Sequence, residues 1–253
     1  MTERAQRHLE RVDWSPNPMR PPNLGGWPFT IPAVAQLVDA GGIDIAPGVT
    51  FIVGENGSGK STLVEAIADV YPRRGFEHPH ESKTGPGTSA EDSPLRHHLR
   101  ARTHPQASPA GFFLRAELMH SYLAQVDARD PGSSRGAWDA GRLQARSHGE
   151  SFLAVLDQRF ADVGVYFMDE PEAALSFQSC LGLVALLAQM REEGSQVIVA
   201  THSPLLMSLP GAHLLEVGDW GYRELARWED ADLVQSWRSF LDEPGMYLRH
   251  LVG

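Results

Sequence analysis

Cysteine is almost missing from this chain, and the one present, Cys180, lies in the apolar run Cys180-Leu181-Gly182-Leu183-Val184-Ala185-Leu186-Leu187-Ala188. A lone thiol excludes an intrachain disulfide and offers no metal-ligand spacing, so a buried structural thiol in a reducing, cytoplasmic setting is expected. Long hydrophobic stretches are lacking too. The run around Cys180 is too short, and too soon followed by charge, to cross a bilayer. The opening residues Met1 to Arg7 have no apolar segment of the secretory kind, which again points to the cytoplasm. Positive charge is scarce: 22 Lys and Arg against 32 Asp and Glu leave a formal net charge of −10. That balance argues against a surface coated for non-specific nucleic-acid binding. The only dense basic cluster is Arg96-His97-His98-Leu99-Arg100-Ala101-Arg102-Thr103-His104. It offers possible phosphate contacts, but a solvated loop balanced by Glu91 and Asp92 is the favoured reading. Internal repeats and heptad runs are absent.

What is present is concentrated in Gly54-Glu55-Asn56-Gly57-Ser58-Gly59-Lys60-Ser61-Thr62, which fits the phosphate-loop pattern G-x-x-x-x-G-K-[ST]. Val49 to Val53 before it reads as a buried strand, and Ser61 to Ala68 after it reads as a helix. A strand, a glycine turn and a helix N-terminus set a row of backbone N–H groups around an anion, with the helix dipole behind them. Lys60 is placed to reach the β- and γ-phosphates and the Ser61 hydroxyl to meet Mg²⁺. A bound nucleoside triphosphate is therefore expected.

Two further strands end in polar residues. Val165-Tyr166-Phe167-Met168 runs into Asp169-Glu170-Pro171. Phosphoryl transfer needs one carboxylate for the metal and another to orient the attacking water, so Asp169 is assigned to Mg²⁺ and Glu170 to the water. Val197-Ile198-Val199-Ala200 runs into Thr201-His202-Ser203-Pro204, which places His202 as a γ-phosphate sensor at a strand end, where ligands of parallel sheets bind. In Arg146-Ser147-His148-Gly149-Glu150-Ser151, Ser147 and Glu150 have capping-box spacing, and Ser147 with the Gly149 N–H offers a second anion site.

The length of 253 residues suits one large α/β domain, since the nucleotide motifs run from Gly54 to His202. Residues 1–26 read as an irregular lead-in, Trp27 to Ile31 as an edge strand, and residues 72–111 as a flexible insertion. Gly111 to Glu117 reads as a strand, Ala173 to Met190 as a helix, and Leu214 to Val217 as a strand. Residues 229–253 form a helical tail whose apolar positions from Leu233 to Leu241 should pack on the body. Alternating strands and helices from Val163 onward predict a mostly parallel sheet flanked by helices.

Taken together, these motifs resemble the ATP-binding-cassette (ABC) class of P-loop ATPase in its soluble, SMC- and RecF-like branch, and more closely a group of small stand-alone bacterial ATPases of the AAA type. The resemblance rests on Gly54–Thr62, on Met168-Asp169-Glu170-Pro171-Glu172, on Ala174-Leu175-Ser176 where a D-loop stands, on Ala200-Thr201-His202-Ser203-Pro204, and on Ser147-His148-Gly149-Glu150 where the family signature stands. For the small bacterial group it extends to Trp27–Val34, Phe112–Glu117 and Phe240–Leu251. It implies an α/β P-loop NTPase fold with an antiparallel edge portion and a small helical signature region. It also implies ATP and Mg²⁺ as cofactors, and an ATP-dependent homodimer in which Ser147 and Gly149 contact the γ-phosphate held by another subunit's Lys60.

The chain departs from the family in three places. His148 replaces the signature's first glycine, and no clear Q-loop glutamine follows Phe112–Leu114, leaving Glu117 or Arg115 in its place. No tyrosine is placed to stack on a base; Trp27 or Phe29 remains, with core packing as the competing role. Residues 63–146 are too few and too broken for coiled-coil arms, so a soluble switch acting through a protein effector, in DNA maintenance or defence, is the leading expectation. The subunit of a membrane transporter and a non-hydrolysing ATP-gated module are the alternatives.

Overall fold

The computed structural model describes residues 7–72, 93–115, 156, 162–249 and 251. Its first elements are β1 (Leu9–Trp14), α1 (Pro32–Asp39), β2 (Gly42–Asp44), β3 (Val49–Val53) and α2 (Lys60–Val70). A 3-10 turn (Pro94–His98) leads into β4 (Leu99–Thr103), followed by β5 (Gly111–Arg115) and β6 (Val165–Asp169). After a second 3-10 turn (Pro171–Ala174) come α3 (Phe177–Glu192), β7 (Gln196–Thr201), α4 (Pro204–Met207), β8 (His213–Gly218) and β9 (Gly221–Leu225). The short helices α5 (Asp232–Asp242) and α6 (Pro244–Leu248) close the order.

Six strands form the main sheet in the order β5-β6-β7-β3-β8-β9. All neighbours are parallel except the β8–β9 edge pair, which is antiparallel. A parallel sheet must be covered on both faces, which is why its strands are apolar throughout rather than alternating. The two faces still separate by residue parity. Ile52, Val165, Phe167, Ile198, Ala200, Leu215 and Val217 point to one core with α1, α2 and a small second sheet. Phe51, Val53, Tyr166, Met168, Val197, Val199 and Leu214 point to the other, with α3, α4 and the start of α5. Ser176 begins α3 by accepting the Ser179 N–H, a cap worth about 1 kcal/mol. Cys180 is buried on the second face, and its thiol is pushed up by that burial. Among the described residues no helix is long and apolar enough to cross a membrane.

The second sheet is antiparallel, in the order β2-β1-β4. It corrects three expectations. The lead-in 1–26 contains β1, the central strand of this sheet, because Leu9 and Val12 are wholly buried and the buried amide of Gln196 bridges to both Leu9 backbone groups. The Trp27–Ile31 segment is a chain of turns and not an edge strand. Phe29 nevertheless anchors it in the core between Trp14 and His98. Within 72–111, residues 93–103 are ordered into a turn and β4.

The basic cluster lies there, and three of its six basic residues serve the fold. Arg102 pairs with Asp13 at 2.9 Å. Arg96 lies 3.9 Å from Asp69. The His98 ring is buried, accepts the Asn17 N–H, and burial lowers its pKa. The helix expected from Ala173 begins instead at Phe177, after the 3-10 turn. The tail is helical, but it packs on the body chiefly through Val234 and leaves Trp237 and Leu241 exposed.

Candidate active site

The phosphate loop occupies the turn between β3 and α2, at the C-terminal edge of the parallel strands. Its glycines are required by the backbone. Gly54, Gly57 and Gly59 all have positive φ, and a Cβ on Gly54 would stand 2.3 Å from the Val217 carbonyl oxygen. Lys60 is the first residue of α2 and is only 3% exposed. Its ammonium donates to the loop's own Glu55 carbonyl at 2.8 Å and lies 3.7 Å from a Glu170 carboxylate oxygen. A buried ammonium with one short acceptor has donors left for an anion.

β6 delivers Asp169 to the same place. The Ser61 hydroxyl donates to Asp169 Oδ1 at 2.9 Å. Burial raises the pKa of Asp169; the Ser61 bond opposes this, the neighbouring Glu170 adds to it, and Arg115 and Lys60 counter it. A desolvated carboxylate paired with a hydroxyl, beside a phosphate loop, is a donor set suited to Mg²⁺, which is held by one or two carboxylates together with substrate phosphates. The raised pKa has a consequence for stability. Native Asp169 holds its proton to higher pH than the unfolded chain does, so stability falls as pH rises from the ordinary carboxylate range through the native titration. Asp169→Asn is expected to melt at a higher temperature than the parent near pH 7 without nucleotide. The gap should close as the pH is lowered through that titration, which scanning calorimetry at several pH values will show.

Glu170 follows in the left-handed region, at φ 48° and ψ 50°. A non-glycine residue there is strained. The strain is held by its N–H donating to the Ala200 carbonyl at 2.9 Å, and by Pro171, which disfavours a right-handed helical conformation before it. The twist turns the Glu170 carboxylate to within 3.5 Å of His202 Nδ1. Glu172 fixes the other side of the histidine. Its largely buried carboxylate accepts the Thr201 hydroxyl and, at 2.9 Å, the His202 N–H, so the exit of β7 is tied to the turn after β6. The ring of His202 remains 41% exposed.

Asn56, Gly57, Gly59, Lys60, Ser61, Thr62, Asp169 and Glu170 line a cleft of about 620 Å³ with Trp27, Ile31, Glu65, Arg115 and Ala173, and His202 adjoins it through Glu170. Trp27 is 57% exposed at this cleft, whereas Phe29 is in the core, so of the two aromatic candidates only Trp27 lines it. The structure thus brings together Gly54 to Thr62, Asp169, Glu170 and His202. Ser147, His148, Gly149, Glu150 and Glu117 lie outside the described residues. Sequence reading passed over Glu65 and quoted Glu172 only as the end of the Asp169-Glu170 motif, without a role. The signal for Glu65 was its position four residues after Ser61, on the same face of α2. Glu172 had only its nearness to Glu170 to recommend it.

A family described as "AAA domain" matches residues 36–70, and one described as "AAA domain, putative AbiEii toxin, Type IV TA system" matches residues 143–208. The ribose import ATP-binding protein RbsA of Jannaschia sp. (strain CCS1) is 26% identical over 215 residues, 74% of this chain and 40% of that protein. The chain therefore spans less than half the length of that relative. The cytochrome c biogenesis ATP-binding export protein CcmA of Rhizobium johnstonii is 27% identical over 186 residues, 67% of this chain and 85% of that protein. Among solved structures, cbiO1 from Clostridium perfringens, part of the ABC transporter complex cbiONQ, overlaps with a TM-score of 0.49 at 13% identity, over 97% of this chain and 100% of that one. The ADP conformation of MJ1267, an ATP-binding cassette of an ABC transporter, overlaps with a TM-score of 0.47 at 13% identity, over 97% of this chain and 99% of that one. The family matches and curated relatives support a P-loop ATPase of the ABC type; the fold itself stands on the strand order given above.

Proposed function

We propose that this chain, as a single domain over residues 1–253, binds and hydrolyses ATP with Mg²⁺ and works as a cytoplasmic, ATP-dependent dimerising switch of the SMC- and RecF-like kind. The observation that carries the reading is the convergence of three strand ends on one phosphate loop: the Ser61–Asp169 hydrogen bond at 2.9 Å, with Glu170 between Lys60 and His202. In this reading the glycine loop and Lys60 hold the phosphates, and Ser61 and Asp169 hold the metal, which supplies charge neutralisation at the phosphates. Glu170 accepts a proton from the attacking water, and His202 steadies the terminal phosphate. Ser147, Gly149 and Glu150 of a second copy complete the site across the interface, as the family resemblance implies.

The output passes to a protein effector, in DNA maintenance or defence. The toxin–antitoxin wording of the second family description suits a defence role. Nucleic acid is a weaker candidate partner, because Arg96 and Arg102 lie against carboxylates of the chain's own fold.

The test is light scattering on the wild type and Glu170→Gln, each with and without Mg-ATP. An ATP-dependent dimer trapped by the variant is expected. A strict monomer at high concentration sinks the dimerising switch. The names of the curated relatives favour a second reading, an ATP-binding subunit seated on a membrane transporter. Co-purification with an integral membrane protein would establish it in place of the first.

A further inference from the structure

Arg115 is the last residue of β5, and it pairs in register with Asp169 on β6. It lines the same cleft as Lys60, Ser61 and Glu170. One end of the guanidinium is parked: Nη2 lies 2.6 Å from Glu65 Oε1, one helical turn beyond Ser61 on α2. The group also lies over the Phe113 ring, 5.3 Å from its centre, which limits its sideways freedom. Its Nε is buried and makes no hydrogen bond among the described residues.

Resting on the nucleotide reading above, we propose that Arg115 reads the terminal phosphate of the bound triphosphate, with Glu65 holding it in place until that phosphate arrives. An arginine kept only for structure would spend its donors inside the fold; this one leaves a buried donor without a partner. The Arg115–Glu65 pair is partly exposed, 22% and 28%, so solvent weakens it. A phosphate offers the same fork two charge-assisted bonds at once, a stronger partner than one screened carboxylate. Position supplies the selectivity. Phosphates close to the ribose lie in the glycine loop after β3, whereas Arg115 stands beyond Asp169, with β7 and β6 between its own strand and β3. Only the phosphate that extends towards Ser61 and Asp169 comes within its reach. Arg115 is thus a specificity residue separating triphosphate from diphosphate.

The experiment is calorimetric titration of the full chain with Mg-AMP-PNP and with Mg-ADP, for the wild type, Arg115→Gln, Arg115→Lys and Glu65→Gln. Arg115→Gln is expected to weaken AMP-PNP by about 10-fold or more and to leave ADP within about 2-fold. Arg115→Lys, which keeps the charge and loses the fork, should fall between the two. Glu65→Gln removes the competing carboxylate, so AMP-PNP should bind as tightly as in the parent or more tightly. Should Arg115→Gln fail to fold, Arg115→Lys carries the comparison: a loss confined to AMP-PNP supports the role. Equal effects on both nucleotides, or none on either, overturn it while leaving the ATPase reading intact. A wild type that binds neither nucleotide defeats both.

Discussion

Glu170→Gln is expected to lower the turnover number for ATP by about 10²- to 10⁴-fold, the range a positioned general base contributes. The substitution keeps shape and the ability to accept a hydrogen bond, and it removes the capacity to take a proton from water. Because the backbone at Glu170 is held at φ 48° by the Ala200 carbonyl and by Pro171, the glutamine should occupy the same place. Nucleotide affinity should therefore persist. It should even rise, since a negative charge near the terminal phosphate has gone. Single-turnover kinetics beside equilibrium binding will separate the two effects. A variant that turns over within a few-fold of the parent would move the base to another residue, and Glu172 is ill placed for that role because it does not line the cleft and its Oε1 is engaged with Thr201 and His202.

The second large effect is expected from Lys60→Ala, which should weaken Mg-ATP binding by about 10²-fold or more. Two charge-assisted hydrogen bonds to phosphate, at about 1.5–3 kcal/mol each, account for a change of that size. The geometry makes the lysine hard to replace. It is 3% exposed at the first position of α2, and its ammonium is already gathered over the loop by the Glu55 carbonyl. Lys60→Arg should not restore binding, because a planar fork does not fit a socket shaped for a compact ammonium. The thermal midpoint without nucleotide should change little, since the loss of a short bond is offset by the relief of a buried charge. Fluorescence of a labelled ATP analogue, with circular dichroism as the control for folding, measures both. Unchanged ATP affinity in a folded Lys60→Ala protein would mean that the loop is not the phosphate site.

The fold was readable wherever the chain speaks locally. Apolar strands such as Val49–Val53 and Val197–Ala200 are short, unbroken and bounded by turns, and a strand buried on both faces has no other way to look. The structure keeps the first as read and extends the second to Gln196–Thr201. The reading was weakest where order depends on distant partners. Leu9–Trp14 carries Arg, Asp and Glu among its apolar residues and sits amid prolines, so nothing local marks it as a strand. It becomes the centre of a sheet because Gly42–Asp44 and Leu99–Thr103 supply its hydrogen bonds and because Gln196, far along the chain, ties down its backbone at Leu9. The basic cluster misleads for the same reason. Its composition suggests a loop, and only Asp13, Asp69 and Asn17, from other parts of the chain, show what its charges do.

For the candidate site, the sequence by itself determined the chemical types: a glycine loop with Lys60 and Ser61, two carboxylates at one strand end, and a histidine at another. Those choices are legible because anion binding and metal binding demand particular groups at short, fixed spacings, and a spacing of a few residues survives in one dimension. Tertiary structure alone decided how the groups face one another. The sheet order β6-β7-β3 places Asp169 opposite Ser61, although they stand 108 positions apart in the sequence and the hydrogen bond closes only in three dimensions. The left-handed backbone at Glu170, the Glu172 brace on His202 and the Glu65 rest for Arg115 are likewise products of packing. Each joins residues that no local pattern links, since a contact across a sheet depends on strand order and register, which side-chain periodicity along one strand does not encode.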